Sequence, residues 1–391
     1  MSARILLPRR LEIGATASAK VAEVLADFGY QRPLLVTDPF MVSCGYLERI
    51  AEPLRAAGYS MGTFTDCVPD PTTDSIEAGL AVLRATQPDV LIGLGGGSAM
   101  DTAKMMAVLA SRSGPARDHK VPAQLHSGLP IIAIPTTAGT GSEATSVAVV
   151  TDTETEEKML FAGSALMPQA ALVDYELTLT MPPRLTADTG LDTLCHALEA
   201  FVSRKRNPFT DGLAAEVMRD VVRWLPVAWA EPENVAAREA MMLAAMRGGM
   251  AFSNASVTLI HGMSRPVGAH FHVPHGMSNA MLLPTITAWS THGAPERYAE
   301  AARILGFASD DMSIESALTA LQEGLARLCA DMAVPTPAEF GITAEDWFGL
   351  IPTMAQQALA SGSPANNPRI PSAEDIAALY DAVWHGKMLT T

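Results

Sequence analysis

His261 and His275 stand fourteen residues apart around a glycine-containing run, and Asp192-x-x-x-His196 lies upstream. Three imidazoles and one carboxylate, with no thiol among them, form an all-N/O donor set suited to Fe²⁺, Zn²⁺, Co²⁺ or Mn²⁺. If residues 191–202 form a helix, Leu191, Leu194, Cys195, Leu198, Phe201 and Val202 make one apolar stripe, and Asp192, His196 and Glu199 share a neighbouring face. Asp192 and His196 can then bind one ion while Cys195 goes to the core. Standing alone, the pair would read as an Asp/His contact on a solvated face. The two downstream histidines turn the reading to a metal site. His270 and His272 are spare candidates, and His119 and His126 fall in an expected surface loop with no role.

A second cluster, Gly95-Gly96-Gly97-Ser98, follows the apolar run 90–94. Three glycines at a strand end let the backbone approach a ligand, and Ser98 with Asp101 reads as a capping box opening the next helix. Free amides and the helix dipole then face a phosphate. A tight turn with a capped helix is the plain alternative, and the Rossmann fingerprint is only approximated because Gly93-x-Gly95-x-x-Ser98 lacks its last glycine. A second loop, Pro135-Thr136-Thr137-Ala138-Gly139-Thr140-Gly141-Ser142-Glu143, also follows a strand and offers hydroxyls and amides to a phosphate or ribose. Two such loops in one sheet favour a dinucleotide, and with the metal they point to metal-assisted redox chemistry.

The elements that must position these residues follow from periodicity. Residues 33–37, 90–94, 131–135 and 170–174 read as buried strands, and residues 15–29, 46–58, 75–86 and 98–111 as helices. That alternation implies a parallel, doubly wound sheet. Beyond Met181-Pro182-Pro183 the strand signals nearly vanish, so an all-α second part is expected, with breaks at Pro226, Pro232, Pro266, Pro274, Pro284 and Pro335 and a late loop over residues 361–371. The expected domains are residues 1–180 and 181–391.

Composition closes off other classes. A chain of 391 residues, 48% hydrophobic and 18% charged, can bury the cores of two domains. Its 27 basic and 42 acidic residues give a net charge of −15, which repels nucleic-acid backbones. Four scattered cysteines, a first segment too short in apolar residues for a signal peptide, and no bilayer-length apolar run place the protein in the cytoplasm, away from membranes.

Taken together, Gly95-Gly-Gly-Ser-Ala-Met-Asp101-Thr-Ala-Lys104, the Pro135–Glu143 loop, Asp192-x-x-x-His196, His261-Gly-Met-Ser-x-Pro-x-Gly and Pro274-His275-Gly276 resemble the iron-containing (group III) alcohol dehydrogenases, in order over nearly the whole chain. The resemblance implies an α/β dinucleotide-binding domain, an all-α C-terminal domain of the dehydroquinate-synthase-like type, and ligation of Fe²⁺, or Zn²⁺ or another divalent ion, by Asp192, His196, His261 and His275. It puts Asp38, in Val36-Thr37-Asp38, beside the adenosine ribose, where it would accept from the 2′-hydroxyl and repel a 2′-phosphate, favouring NAD(H) over NADP(H). It also puts Gly95, Gly96, Gly97, Ser98, Asp101, Thr136, Thr137, Thr140 and Lys158 along the cofactor. Two departures matter: the family's Pro-Asn-Pro-Thr is here Pro69-Asp70-Pro71-Thr72, and a histidine four residues after the first C-terminal ligand is here Arg265.

Arginine stays protonated and cannot act as general base. Arg265 is therefore either paired with a local carboxylate or a cationic clamp for an anionic substrate, and His270 becomes a candidate proton relay. The expected activity is that of an NAD-linked, metal-dependent alcohol dehydrogenase or aldehyde reductase, a homodimer or higher homo-oligomer by the same resemblance, acting on a small alcohol or aldehyde. The rivals are a hydroxyacid-oxoacid transhydrogenase and a metal-dependent cyclase or lyase like dehydroquinate synthase.

Overall fold

The computed structural model describes residues 3–388. It divides into two compact units, Ile5–Met181 with Glu233–Met250, and Pro182–Pro232 with the chain from Ala251 on. The sequence reading left residues 233–250 in the helical part; that segment clusters with the sheet.

The sheet unit holds strands β1 (Arg10–Ile13), β2 (Pro33–Val36), β3 (Gly62–Phe64), β4 (Val90–Gly95), β5 (Ile131–Pro135), β6 (Val147–Thr151), β7 (Lys158–Ala162) and β8 (Ala170–Val173). Six of them form one sheet in the order β1-β8-β5-β4-β2-β3, parallel throughout. Every residue of β2, β4, β5 and β8 is buried, which is why these strands read as unbroken apolar runs. Successive side chains go to opposite faces: Leu34, Leu91 and Ile131 join one core, and Leu35, Ile92 and Ile132 the other. Helices α1 (Val21–Phe28), α2 (Pro39–Ser43), α3 (Tyr46–Ala56), α4 (Thr73–Thr86) and α5 (Gly97–Leu109) alternate with the strands. The chain runs from β2 outward to β3, then back across to β4, so the winding reverses between β2 and β4. In such sheets ligands bind outside the carboxyl ends of the strands at that reversal.

Four strands escaped the sequence reading. The outer strands β1 and β3 have four and three residues and little apolar signal. β6 and β7 form a separate antiparallel hairpin whose burial alternates residue by residue, a period-two pattern diluted by the charged turn between them.

The second unit is built from α6 (Pro183–Val202), α7 (Pro208–Ala230), the end of α8 (Val235–Ala255), α9 (Leu259–Phe271), α10 (His275–Ser290), α11 (Pro295–Ile304), α12 (Ile314–Asp331), α13 (Pro337–Phe340), α14 (Ala344–Ala360) and α15 (Ala373–Trp384). Pro226, Pro266 and Pro284, expected as breaks, lie inside α7, α9 and α10. A proline removes one helical hydrogen bond and clashes with the turn before it, and packing in the bundle sustains these helices through it. Residues 361–371 form the expected loop around a short 3₁₀ turn. α6 starts eight residues earlier than expected, with Pro183 in its first turn, and is buried without interruption from Thr186 to Val202. The Asp192/His196 face is therefore interior, not solvated. Among the described residues no helix is long and apolar enough to cross a membrane.

Candidate functional site

Asp192 and His196 lie one turn apart on α6, His261 is in the first turn of α9, and His275 opens α10. Gly276 makes the meeting of α6 and α10 possible, since a Cβ there would lie 2.3 Å from the carbonyl oxygen of Asp188. One ligand atom from each of the four residues lies within 4.8 Å of all the others. Asp192 Oδ1 is 3.8, 3.4 and 3.7 Å from Nε2 of His196, His261 and His275. Donors about 2.1 Å from a tetrahedral ion stand about 3.4 Å apart, so these spacings fit one first-row divalent ion. Asp192, His196 and His261 are 2–3% exposed, whereas the His275 side chain is 39% exposed and leaves one side of the cluster open.

The electrostatics suit a cation. Burial pushes the Asp192 carboxyl up, but His196, His275 and His261 hold it below the ordinary carboxylate range, so it is an anion. Burial lowers His196 to about 3 and keeps its imidazole neutral, with a free lone pair. Burial also pulls His261 down, yet Glu199 and Asp192 raise it to about 9. Glu199 is the residue that orients this ring: its Oε2 accepts from His261 Nδ1 at 2.5 Å, and its Oε1 accepts from Thr258 Oγ1 at 2.8 Å and Ile260 N at 2.7 Å. With the Nδ1 proton held there, Nε2 facing Asp192 is the nitrogen whose proton an ion would displace, the usual support for a metal-ligating histidine. Sequence placed Glu199 on the right face without giving it this part. Asn279, one turn beyond His275 on α10, was missed altogether; its amide nitrogen lies 2.7 Å from Asp192 Oδ1.

Arg265 follows His261 by one turn on α9, its guanidinium donating to Ser363 Oγ at 3.1 Å. Among the described residues no carboxylate pairs with it. His270 is not brought to the donor cluster: it is nine residues from His261, about 180° around the helix, and its Nε2 bonds Gln357 Oε1 at 2.8 Å. His272 ends α9 in a left-handed conformation and is exposed.

The cofactor candidates all lie in the sheet unit. Asp38 follows β2 and caps α2, its Oδ1 accepting from Met41 N at 3.0 Å. Its other oxygen borders the glycine loop, 3.3 Å from where a Gly95 Cβ would lie. Gly95 and Pro135 are register partners, so the two loops leave the sheet side by side. They pack so closely that a Cβ on Gly97 would sit 2.9 Å from Thr140 Cγ2. The expected Ser98/Asp101 capping box is absent: α5 begins after Gly96 with no side-chain cap. Ser98 Oγ accepts from Asp70 N at 3.2 Å, and the Asp101 carboxylate accepts from Ser142 Oγ at 2.7 Å and Val149 N at 2.9 Å. Ser98 and Asp101 are the second and fifth residues of α5, inside the helix, and its start has no side-chain cap. The hydroxyls of Thr136 and Thr137 are buried with no hydrogen-bond partner, an arrangement a polar ligand would relieve.

Asp70, the carboxylate that replaces the family's amide, pairs with Lys158 Nζ at 3.0 Å. Beneath these loops lies a lysine the sequence did not single out. Lys104 is fully buried and donates to Ser142 Oγ at 2.9 Å, Thr145 Oγ1 at 2.9 Å, and the carbonyls of Thr145 at 3.1 Å and Val147 at 2.9 Å. Burial lowers Lys104 to about 8 and raises neighbouring Glu143 to about 7.

Comparison with known proteins agrees with both halves of this geometry. The family model for iron-containing alcohol dehydrogenases matches residues 8–175, and the model for that family's C-terminal part matches residues 186–384. An NAD-dependent methanol dehydrogenase of Bacillus methanolicus is 35% identical over 373 residues, 95% of this chain and 97% of that protein. Among solved structures, an alcohol dehydrogenase from Oenococcus oeni has a TM-score of 0.92 at 30% identity, covering 98% of this chain and 100% of the other. A sulfoacetaldehyde reductase from Bifidobacterium kashiwanohense, solved with NAD⁺, has a TM-score of 0.87 at 28% identity, covering 98% and 99%. This chain belongs to the iron-containing alcohol dehydrogenase family and is a metal-dependent oxidoreductase of alcohols and aldehydes.

Proposed function

We propose that the protein interconverts a small alcohol and its aldehyde or ketone with NAD(H), using one Fe²⁺ held by Asp192, His196, His261 and His275. The observation that carries this reading is the donor cluster, whose spacing, burial and ionisation suit a divalent ion. The ion supplies Lewis acidity to a substrate oxygen and the nicotinamide supplies the hydride acceptor or donor. Asp192 contributes the negative charge, and Glu199 fixes His261 with its Nε2 toward the site. Gly95, Gly96, Gly97 and Ser98 present the uncapped start of α5 to the cofactor's phosphates, with Thr136, Thr137, Thr140, Asp70 and Lys158 alongside, and Asp38 takes the adenosine ribose. Asp101 acts by tying the second loop to α5. NAD(H) is supported by Asp38 and by the two nicotinamide-linked relatives.

Arg265 supports a narrower reading, that the substrate carries an anionic group such as a carboxylate, sulfonate or phosphonate. A mostly buried guanidinium with one neutral partner has donors to spare for an anion, and one solved relative reduces a sulfonated aldehyde. The four free thiols, three of them buried, support a reducing cytoplasm, where we place a homodimer or larger homo-oligomer.

Protein loaded with Fe²⁺ should oxidise NADH when offered aldehydes or oxo-acids and reduce NAD⁺ when offered diols, both followed at the NADH absorbance band, and should retain about one ion per chain. Turnover must require free NAD(H); turnover between two acids without it marks a transhydrogenase. Metal retained stoichiometrically by the His261→Ala, His275→Ala double variant overturns the ligand assignment.

A further inference from the structure

Asn279 is fully buried on α10, one turn past His275. Its Nδ2 lies 2.7 Å from Asp192 Oδ1, 3.1 Å from His261 Nε2 and 3.3 Å from His275 Nε2. A primary amide nitrogen has two hydrogens and accepts nothing, so it cannot serve all three neighbours. At the other end Oδ1 is buried with no hydrogen-bond partner. Exchanging the two ends does not relieve the misfit, because the carbonyl oxygen would then stand 2.7 Å from a carboxylate oxygen of Asp192, acceptor against acceptor. The NH₂ thus stands among three of the cluster's four ligand residues, and a hard oxygen donor of the same side chain lies buried without a partner beside it.

We propose that Asn279 is a fifth residue of the metal centre. Its NH₂ donates to Asp192 and so sets that ligand, and its carbonyl oxygen would serve the ion. This rests on the metal-centre reading, and the two can fail separately. The alternative is a helix residue that only packs α10 against α6; it predicts equal effects with and without metal.

The test compares wild type, Asn279→Ala and Asn279→Asp for Zn²⁺ and anaerobic Fe²⁺ affinity, by competition with a chromophoric chelator, and for thermal unfolding with and without metal. Asn279→Ala should bind either ion roughly 10–100-fold more weakly, the usual cost of losing a supporting residue. Asn279→Asp keeps an oxygen donor and should bind at least as tightly as wild type. Metal-free, it should be the least stable of the three, because a second carboxylate then faces Asp192. Its gap between metal-free and loaded unfolding temperatures should accordingly be the widest. Wild-type affinity in Asn279→Ala overturns the proposal, as does an Asn279→Asp protein that loses affinity as Asn279→Ala does. If Asn279→Ala does not fold, the affinity of Asn279→Asp decides alone. Failure of wild type to retain any stoichiometric ion overturns the metal centre itself, before a variant is made.

Discussion

Replacing Glu199 with Gln should weaken divalent-ion binding by roughly 10–100-fold while leaving the fold intact. The two side chains have the same shape, so packing changes little; what changes is which atoms donate. Ile260 N can only donate, and it does so to Glu199 Oε1 at 2.7 Å. A glutamine must keep its oxygen at that end and turn its NH₂ to His261 Nδ1, where the carboxylate now accepts at 2.5 Å. Facing a donor, Nδ1 must give up its proton, and the neutral ring then carries it on Nε2, the nitrogen that faces Asp192 and would bind the ion. Binding must first undo that tautomer or break the new contact. The charge-assisted bond lost is worth about 1.5–3 kcal/mol, or one to two decades, in line with measured effects of such supporting carboxylates. Zn²⁺ affinity from chelator competition is the assay, with circular dichroism and unfolding temperature as controls on the fold. A Glu199→Gln protein that binds Zn²⁺ within about threefold of wild type would show that His261 needs no fixed tautomer, and the argument from its hydrogen bond would be wrong.

Three further outcomes follow from other parts of the molecule. Asp38→Gly should raise the NADP(H)-to-NAD(H) preference in catalytic efficiency by at least about tenfold, because a carboxylate no longer opposes a 2′-phosphate, while the lost cap costs only a few tenths of a kcal/mol; a wild type that already prefers NADP(H) refutes the assignment. Arg265→Ala should cost acidic substrates about one to two decades in kcat/KM and neutral alcohols of equal length far less, and equal losses for both classes would make Arg265 structural. Glu143, raised by burial from 4.5 to about 7, keeps a proton in the folded protein that the unfolded chain has lost. Wild-type stability should therefore fall as pH rises from about 4.5 to about 7, by an amount on the order of 3 kcal/mol. Glu143→Gln should remove that slope and be the more stable protein at pH 8. Denaturant midpoints across this range check it, and an unchanged slope points to another group.

The candidate metal ligands were legible because their chemistry is rare: an aspartate and a histidine one helical turn apart, then two more imidazoles, are few enough in a sequence to be noticed as a set. Glu199 and Asn279 carry no such mark. A glutamate near the end of a helix and an asparagine four residues after a histidine are ordinary until α9 and α10 are laid against α6, and their parts are read only from the distances to His261 and Asp192.

Local rules likewise failed where tertiary partners outbid them. Ser98 and Asp101 have the spacing of a capping box, but α5 begins after Gly96, so both lie inside the helix, and Asp101 turns instead to Ser142 and Val149, 41 and 48 residues away. Pro226, Pro266 and Pro284 have the local signature of helix ends, but their helices continue through them, each held by a buried face that packs in the bundle. The buried strands were found because a parallel sheet demands unbroken apolar runs, whereas β1 and β3, short and outermost in the sheet, are held by partners more than by composition. The same logic explains the uncapped start of α5. A helix terminus left without its own side-chain cap, beside two buried threonine hydroxyls with no partner, is a local defect for folding, and it is this defect that supports the proposed phosphate site.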